Sequence, residues 1–157
     1  MDKSLNIRKI LFFNYTEELS QYSHHINLTN KEIEENFYYL IEDYERCNWH
    51  DIIYEDQIIG FIITRHKPIE IEGSNLYFEA CYLLPSYRKK GLMAKEITNI
   101  VSKYPHNYIY SFCVLENNLQ ALEFWSNYTS KNNFTLNCVE KSNNKLISKY
   151  TIKKGNT

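Results

Sequence analysis

Apolar and polar positions along the first third of the chain predict one strand and one helix. Residues 7–13 form a short apolar run rich in Ile and Phe, which predicts a first strand. Residues 16–26 are polar and fit either a short helix or a loop. Thr29 with Glu32 three residues later is a capping-box pattern that predicts a helix start. Apolar residues then recur at helical spacing to about Arg46, at Ile33, Phe37, Leu40, Ile41 and Tyr44.

The middle of the chain predicts a hairpin followed by a third strand. Residues 49–54 and 58–66 are rich in β-forming side chains, and the short polar segment 55–57 joins them. Residues 73–75, Gly-Ser-Asn, then turn the chain into an apolar run over residues 76–84.

The second half predicts a crossover. A helical pattern runs from Gly91 through Val101 and ends before Pro105, and residues 108–115 predict another strand. A strand, helix and strand in this order imply parallel pairing. A helix over 119–130 and two strands over 134–139 and 145–152, bent around Asn143 and Asn144, complete the chain. We therefore expect one α/β domain over residues 1–157, with a mixed sheet flanked by helices.

Composition excludes several classes of protein. The chain has 157 residues, 43% hydrophobic and 24% charged, as expected for one globular domain. Its longest apolar stretches, such as residues 58–63, fall far below the roughly 20 residues that span a bilayer. The N-terminal segment has too short an apolar run and no small-residue cleavage site, so it does not resemble a signal peptide. We expect a cytoplasmic protein.

Cysteine, histidine and tyrosine give no metal or nucleic-acid signal. The cysteines lack C-x-x-C spacing and the histidines lack ligand periodicity, so we expect no metal, no disulfide framework and buried free thiols. The 14 tyrosines are not interleaved with basic residues as in RNA-binding motifs. The residues concerned are Cys47, Cys81, Cys113, Cys138, His24, His25, His50, His66 and His106.

The charge of the chain is unevenly distributed. Residues 1–80 hold 7 basic and 15 acidic residues, a charge of −8, and residues 81–157 hold 11 basic and 4 acidic residues, a charge of +7. An acidic half suits a cationic partner such as an amine, and a basic half suits an anionic one. Two merely solvated faces would give the same counts, and the sequence leaves both explanations open.

The junction between the 76–84 strand and the next helix has the features of an anion site. Arg88, Lys89, Lys90 and Gly91 lie where the helix begins. Unpaired backbone N–H groups, the positive end of the helix dipole and cationic side chains therefore meet at one point. Such a point can hold phosphate.

At these residues the chain resembles the GNAT family of acetyl-CoA-dependent N-acetyltransferases. The family signature [Q/R]-x-x-G-x-[G/A] reads Arg88 to Met93 here, after a strand that ends in Leu83, Leu84 and Pro85. Met93 replaces a small residue and requires more room beside the pyrophosphate. A second match places Asn118, Ala121 and Trp125 at the family's helical Asn, Ala and Tyr positions. The resemblance spans about residues 49–134.

The resemblance implies a GNAT-like sheet that is splayed at its centre and binds acetyl-CoA as co-substrate. Pantetheine would pair with backbone groups at the splay, and an N–H near Leu83 or Leu84 would polarise the acetyl carbonyl. The cofactor-binding residues implied are Leu83, Leu84, Arg88, Lys89, Lys90, Gly91, Leu92, Met93, Ala94, Asn118 and Trp125. Asn118 would contact pantetheine, cap its helix, or do both.

The catalytic residues implied are a base and an acid. Glu79 lies six residues before Pro85, near the family's acidic position, and is the candidate general base, although a strand Glu is also a common surface charge. Trp125 stands where the family has a Tyr acid, and indole cannot supply a useful proton. Tyr128, one turn further along, is the candidate acid; Tyr110 or solvent protonation of the thiolate are the alternatives, and Trp125 could simply pack.

The partner implied is a small-molecule or peptide amine that enters between the acidic helix at residues 32–45, the 70–72 loop and the final hairpin. No nucleic-acid or membrane partner is expected, and a homodimer is left open. A non-catalytic GNAT-like module that binds acetyl-CoA or CoA is the alternative function, since Trp125 and Met93 both depart from the family pattern.

Overall fold

The computed structural model describes residues 2–23, 26–43, 45–66, 71–115, 117–140 and 147–156. These residues form four α-helices, one short 3-10 helix and six strands. In chain order the elements are α1 (Lys3–Ser20), α2 (Asn30–Glu42), β1 (Cys47–Tyr54), β2 (Gln57–His66), β3 (Leu76–Leu83), the 3-10 helix (Pro85–Tyr87), α3 (Leu92–Val101), β4 (Ile109–Leu115), α4 (Leu119–Lys131), β5 (Phe134–Glu140) and β6 (Ile147–Lys154).

The predicted strand over residues 7–13 is wrong, because this run lies within α1. Asp2 caps the helix by accepting a hydrogen bond from the Ser4 N–H at 3.0 Å. Leu11 and Phe12 are buried and Tyr15 is partly buried, so the apolar surface recurs at helical spacing and packs on the sheet. A short apolar run is compatible with a strand or a helix, and here its packing against the sheet stabilises the helix.

The predicted α2 and first hairpin are confirmed. Thr29 and Glu32 form both hydrogen bonds of the capping box. β1 and β2 pair antiparallel, with Tyr54 opposite Gln57. The two linking residues, Glu55 and Asp56, have φ values of 47° and 60°, as a tight hairpin turn requires at both central positions.

The six strands form one mixed sheet in the order β1-β2-β3-β4-β6-β5. Among the described strands, β3 and β4 alone pair in parallel, as the predicted crossover through α3 requires. The last two strands pair antiparallel, and the predicted bend at Asn143 and Asn144 lies outside the described residues.

Helices cover the sheet on both faces. α1 and α2 pack on one face around Phe37, Phe61 and Tyr82, and α3 and α4 pack on the other around Phe78, Ile97 and Trp125. No helix in the described part of the chain is long and apolar enough to cross a membrane. β3 and β4 are the two middle strands of the sheet and lie between the two helical layers.

Candidate functional site

The parallel strands β3 and β4 separate after three paired residues. Leu76, Tyr77 and Phe78 of β3 pair with Tyr110, Ser111 and Phe112 of β4, and the register ends there although both strands continue. We call the opening between the remaining residues of β3 and β4 the fork. It confirms the predicted central splay.

The backbone of β3 presents alternate peptide groups to the fork. Leu84 donates its N–H to the Ile59 carbonyl of β2 at 2.9 Å, so its N–H faces away from the fork. Because the β2–β3 register is continuous from Gly60 to Ile63, the N–H groups of Cys81 and Leu83 face the other way. The Leu84 N–H is therefore taken up by β2, whereas the N–H groups of Leu83 and of Cys81, which the sequence analysis did not single out, face the fork.

Gly60 lets the end of β3 approach β2 closely. A Cβ atom at residue 60 would lie 2.3 Å from the Tyr82 carbonyl oxygen and 3.0 Å from the Leu83 Cα. Any side chain there would push this end of β3 out of place. The position of the Leu83 peptide in the fork thus depends on a glycine in the neighbouring strand.

The N-terminus of α3 follows the end of β3 and has the backbone features of an anion site. Gly91, its N-cap, has φ of 77°, and Lys89 has φ of 61°. The Lys95 N–H to Gly91 carbonyl bond is the first of the helix, so the N–H groups of residues 92–94 come before the helical ladder. Gly91 offers no side-chain cap. These N–H groups remain directed to where a phosphate would sit.

The side chains of Leu92, Met93 and Ala94 do not cover this anion site. All three pack against the core between α3 and the sheet. Met93, which is larger than the small residue of the signature, therefore has its side chain on the core side of α3.

Arg88 lies at the predicted position, but its side chain turns away from α3. The guanidinium donates to both carboxylate oxygens of Glu18 on α1, at 2.8 and 2.7 Å, and its Nε donates to the Leu83 carbonyl at 2.8 Å. It also lies over the Tyr82 ring, 5.5 Å from the centroid. Lys89 and Lys90 are exposed, and the Lys90 ammonium lies 5.7 Å from the centroid of the Tyr87 ring.

The start of α4 borders an open pocket together with the end of β3. The Asn118 side chain accepts a hydrogen bond from the Ala121 N–H at 3.1 Å and so caps the helix, as one of the two predicted roles requires. Trp125 is 5% exposed and stacks on Phe112 with ring centroids 4.1 Å apart. Its indole packs in the core beneath the fork.

Tyr128 is buried, 3% exposed, and its hydroxyl lies 3.0 Å from the Thr98 hydroxyl of α3. Burial raises the pKa of Tyr128, and the bond to Thr98 only partly offsets this. The group is therefore protonated at neutral pH, and its hydroxyl lies between α3 and α4.

Glu79 lies at a bulge of β3. Ile63 is opposite Ala80 and Thr64 is opposite Phe78, so Glu79 is the extra residue in this register. The Glu79 carboxylate lies 3.4 Å from the Arg65 Nε, and its side chain is 27% exposed. The bulge is located where β3 leaves β4, which places the carboxylate near the start of the fork.

Tyr77 and Tyr15 are polar residues at the same place that the sequence analysis missed. Tyr77 occupies one of the three paired positions before the fork, and burial together with a hydrogen bond to Cys113 raises its pKa. Burial also raises the pKa of Tyr15 on α1, and the neighbouring Cys81 and Glu79 shift it in the same direction. Burial raises the pKa of the Cys81 thiol to about 12, so this thiol is protonated at neutral pH.

Two open pockets flank α1. One, about 440 Å³, contacts the end of β3, the start of α4 and the second half of α1. The other, about 340 Å³, lies between α1 and α2 above Glu79 and is mainly apolar. Lining residues of the first pocket include Glu17, Glu18, Tyr82, Arg88 and Gln120, and those of the second include Leu19, Leu28, Tyr39, Arg65 and Glu79.

The acceptor entrance predicted from the sequence involves a loop at residues 70–72, of which residue 70 lies outside the described part of the chain. In the described residues, no group of three or more His, Cys, Asp or Glu side chains is placed to hold a metal ion.

Comparison with known proteins supports the same fold. The model of the acetyltransferase (GNAT) family matches residues 7–128. No curated protein matches the chain. An acetyltransferase from Thermus thermophilus superposes with a TM-score of 0.70 at 11% identity, covering 95% of this chain and 90% of the other.

Two further solved structures are described as complexes with coenzyme A. The PaiA N-acetyltransferase from Thermoplasma acidophilum has a TM-score of 0.59 and 16% identity, covering 96% of this chain and 94% of its own. The ribosomal L7/L12 α-N-protein acetyltransferase RimL has a TM-score of 0.63 and 15% identity, covering 96% and 89%. At these identities the likeness concerns the fold alone.

Proposed function

Because the chain belongs to the acetyltransferase (GNAT) family, we propose that it transfers the acetyl group of acetyl-CoA to a primary amine of a small molecule or peptide. The observation that carries this proposal is the fork between β3 and β4 next to the uncapped N-terminus of α3. The fork offers backbone groups to the extended pantetheine chain, and the N-terminus of α3 offers N–H groups to the diphosphate.

In this proposal the β3–α3 loop binds the pyrophosphate. The N–H groups that precede the α3 ladder, residues 92–94, donate to phosphate oxygens, and the exposed Lys89 and Lys90 add positive charge. Asn118, already a helix cap through its Oδ1, has its amide NH₂ group left to donate to pantetheine. Trp125 supports the floor of the fork by stacking on Phe112.

The edge of β3 holds the acyl group. Acetyl-CoA supplies an activated thioester, and the N–H of Cys81 or Leu83 donates to its carbonyl oxygen. One fixed donor of this kind contributes about 3 kcal/mol, or roughly a hundredfold in rate. Leu83 is well suited to hold its geometry, since the adjoining Leu83–Leu84 peptide is fixed on both sides, by Arg88 and by Ile59.

Glu79 is our proposed general base. An amine arrives mainly as ammonium and has to lose a proton before it attacks. The bulge places the Glu79 carboxylate near the start of the fork, where it borders the pocket between α1 and α2. The ion pair with Arg65 holds the carboxylate in place.

The acid for the leaving thiolate stays a prediction. Tyr128 keeps its proton, but its hydroxyl has to exchange Thr98 for the substrate sulfur before it can donate. Tyr128→Phe tests this role directly, because the change removes one oxygen from a side chain whose ring remains packed. A fall of at least tenfold in kcat would support Tyr128, and an unchanged kcat would leave protonation to solvent.

The alternative, a module that binds CoA without turnover, is favoured by one observation. Trp125 is buried and Tyr128 is hydrogen-bonded within the core, so neither presents an acid to the fork as the structure stands. This function predicts acetyl-CoA binding with no amine-dependent release of CoA thiol.

Two measurements test the proposed function. Thermal unfolding of the wild-type protein should show a higher midpoint with acetyl-CoA, because the ligand binds only the folded state. Release of CoA thiol should depend on an added amine and fall at least about a hundredfold in Glu79→Gln. The matched control is Glu123→Gln, which removes an exposed carboxylate on α4 and should not change the rate. Binding without thiol release would support the alternative, and full activity of Glu79→Gln would remove Glu79 as the base.

A further inference from the structure

Arg88 makes contacts that do not fit a phosphate ligand. Its backbone belongs to the β3–α3 loop, yet its guanidinium lies over Tyr82, a residue of the core on the α1 and α2 face of the sheet. Because α3 packs on the opposite face, the charge of Arg88 is directed to the other side of the sheet from the helix it precedes.

The partner of Arg88 is Glu18 in the last turn and a half of α1. Two parallel N–H to oxygen bonds, at 2.8 and 2.7 Å, join the two side chains, and each side chain is 26% exposed. A bidentate pair of this kind fixes both distance and orientation, unlike a single contact from a lysine. Seventy residues of sequence separate its members. The pair therefore ties α1 to the β3–α3 loop.

The third bond of Arg88 reaches the fork itself. Its Nε donates to the Leu83 carbonyl at 2.8 Å, while the N–H of the same peptide group, that of Leu84, donates to Ile59. One side chain thus fixes a peptide group at the edge of the fork and the second half of α1. The second half of α1, Tyr82 at the end of β3 and Arg88 itself line the open pocket of about 440 Å³, which extends to Gln120 at the start of α4.

We propose that Arg88 is a positioning residue that, through Glu18, holds α1 as the wall of the amine-binding pocket. This inference rests on the proposed function and adds to it that the amine enters through the pocket of about 440 Å³, whereas Glu79 borders the second pocket, on another face of α1. Phosphate binding in this account belongs to the backbone and to Lys89 and Lys90, and Arg88 contributes to the amine side of the reaction.

The kinetic test measures the KM for the amine and the KM for acetyl-CoA separately. Glu18→Gln removes the charge of the pair, and Arg88→Lys keeps a cation while removing the forked geometry. Each should raise the KM for the amine about tenfold, the size expected for losing one charge-assisted contact, with less than a twofold change in the KM for acetyl-CoA. Glu123→Gln, which removes an exposed carboxylate on α4, is the matched control and should change neither KM.

A phosphate role for Arg88 predicts the reverse. The KM for acetyl-CoA would then rise in Arg88→Lys, while Glu18→Gln would leave both constants unchanged or tighten acetyl-CoA binding by freeing the guanidinium. That result would overturn the proposal. If both variants merely lowered stability, amine and acetyl-CoA constants would change together or not at all, which would also overturn it.

A second readout does not need turnover. Amide hydrogen exchange of residues 17–22 should accelerate in both Glu18→Gln and Arg88→Lys, and the rise in unfolding midpoint with acetyl-CoA should match that of the wild type. Unchanged exchange in both variants would contradict the proposal. A wild type that shows no shift with acetyl-CoA would contradict the proposed function instead, so the two failures can be told apart.

Discussion

Replacing Gly91 by Glu should weaken acetyl-CoA binding, and it should cost little more stability than any other side chain at this position. Gly91 has φ of 77°, so Ala or Glu there incurs roughly 1–2 kcal/mol of backbone strain. A Cβ atom at residue 91 would meet none of the described atoms within 4 Å, so no steric clash adds to this cost. Gly91→Ala and Gly91→Glu should therefore unfold at similar temperatures and differ mainly in charge.

The negative charge of the carboxylate introduced by Gly91→Glu is what weakens acetyl-CoA binding. A carboxylate about 4 Å from a phosphate oxygen costs about 1 kcal/mol in water and about 4 kcal/mol at a partly buried site, for each unit of charge. The dissociation constant for acetyl-CoA should therefore rise between about fivefold and a thousandfold in Gly91→Glu relative to Gly91→Ala. Gly73→Glu is a matched control. Gly73 has φ of 79°, a Cβ atom there would also meet none of the described atoms within 4 Å, and the residue lies before β3 rather than after it.

The assay is thermal unfolding at an acetyl-CoA concentration about a hundred times the wild-type Kd. The ligand then adds about 2.7 kcal/mol, which corresponds to a midpoint shift of roughly 5–11 °C for a chain of this size. A hundredfold weaker Kd reduces the gain to about 0.4 kcal/mol, or a shift of about 1 °C. If Gly91→Glu kept the shift seen in Gly91→Ala and Gly73→Glu, the N-terminus of α3 would not be the phosphate site.

Two further predictions concern the scaffold. Gly60→Ala should both lower the unfolding midpoint and weaken acetyl-CoA binding, because its Cβ would lie 2.3 Å from the Tyr82 carbonyl oxygen and displace the end of β3. Acetyl-CoA binding equal to that of the wild type, measured by calorimetry, would show that this end of β3 does not contact the cofactor. His50 is expected to make stability depend on pH. Burial lowers its pKa below the ordinary 6.5, so the unfolded chain takes up the proton first and the free energy of unfolding falls as pH drops below about 6.5. The free energy of unfolding, measured with denaturant at pH 7 and pH 5, should depend less on pH in His50→Gln than in the wild type. An unchanged pH dependence would show that His50 does not cause it.

Local signals in the sequence predicted the elements that local interactions determine. The capping box of Thr29 and Glu32, the hairpin at Glu55 and Asp56, and the start of α3 after Gly91 each involve residues within a few positions of one another. Such features can be predicted without the fold because their hydrogen bonds and turns close locally.

Long-range packing determined the features that the sequence did not show. The apolar run at residues 7–13 is compatible with a strand, and only burial of Leu11 and Phe12 against the sheet decides for a helix. The direction of Arg88 depends on Glu18, seventy positions earlier, and the exclusion of Leu84 as a donor depends on its bond to Ile59 in β2. No pattern within the motif itself could have supplied either partner.

Amine-dependent release of CoA thiol from acetyl-CoA tests the central claim most directly. We would incubate the purified protein with acetyl-CoA and, separately, a panel of small primary amines and peptides with free N-termini, and follow free thiol with time. We predict release that saturates with at least one amine and that is reduced in Gly91→Glu but retained in Gly73→Glu. Absence of amine-dependent release across the panel, in a protein whose unfolding midpoint still rises with acetyl-CoA, would contradict the acetyltransferase activity and leave a domain that binds acetyl-CoA without turnover.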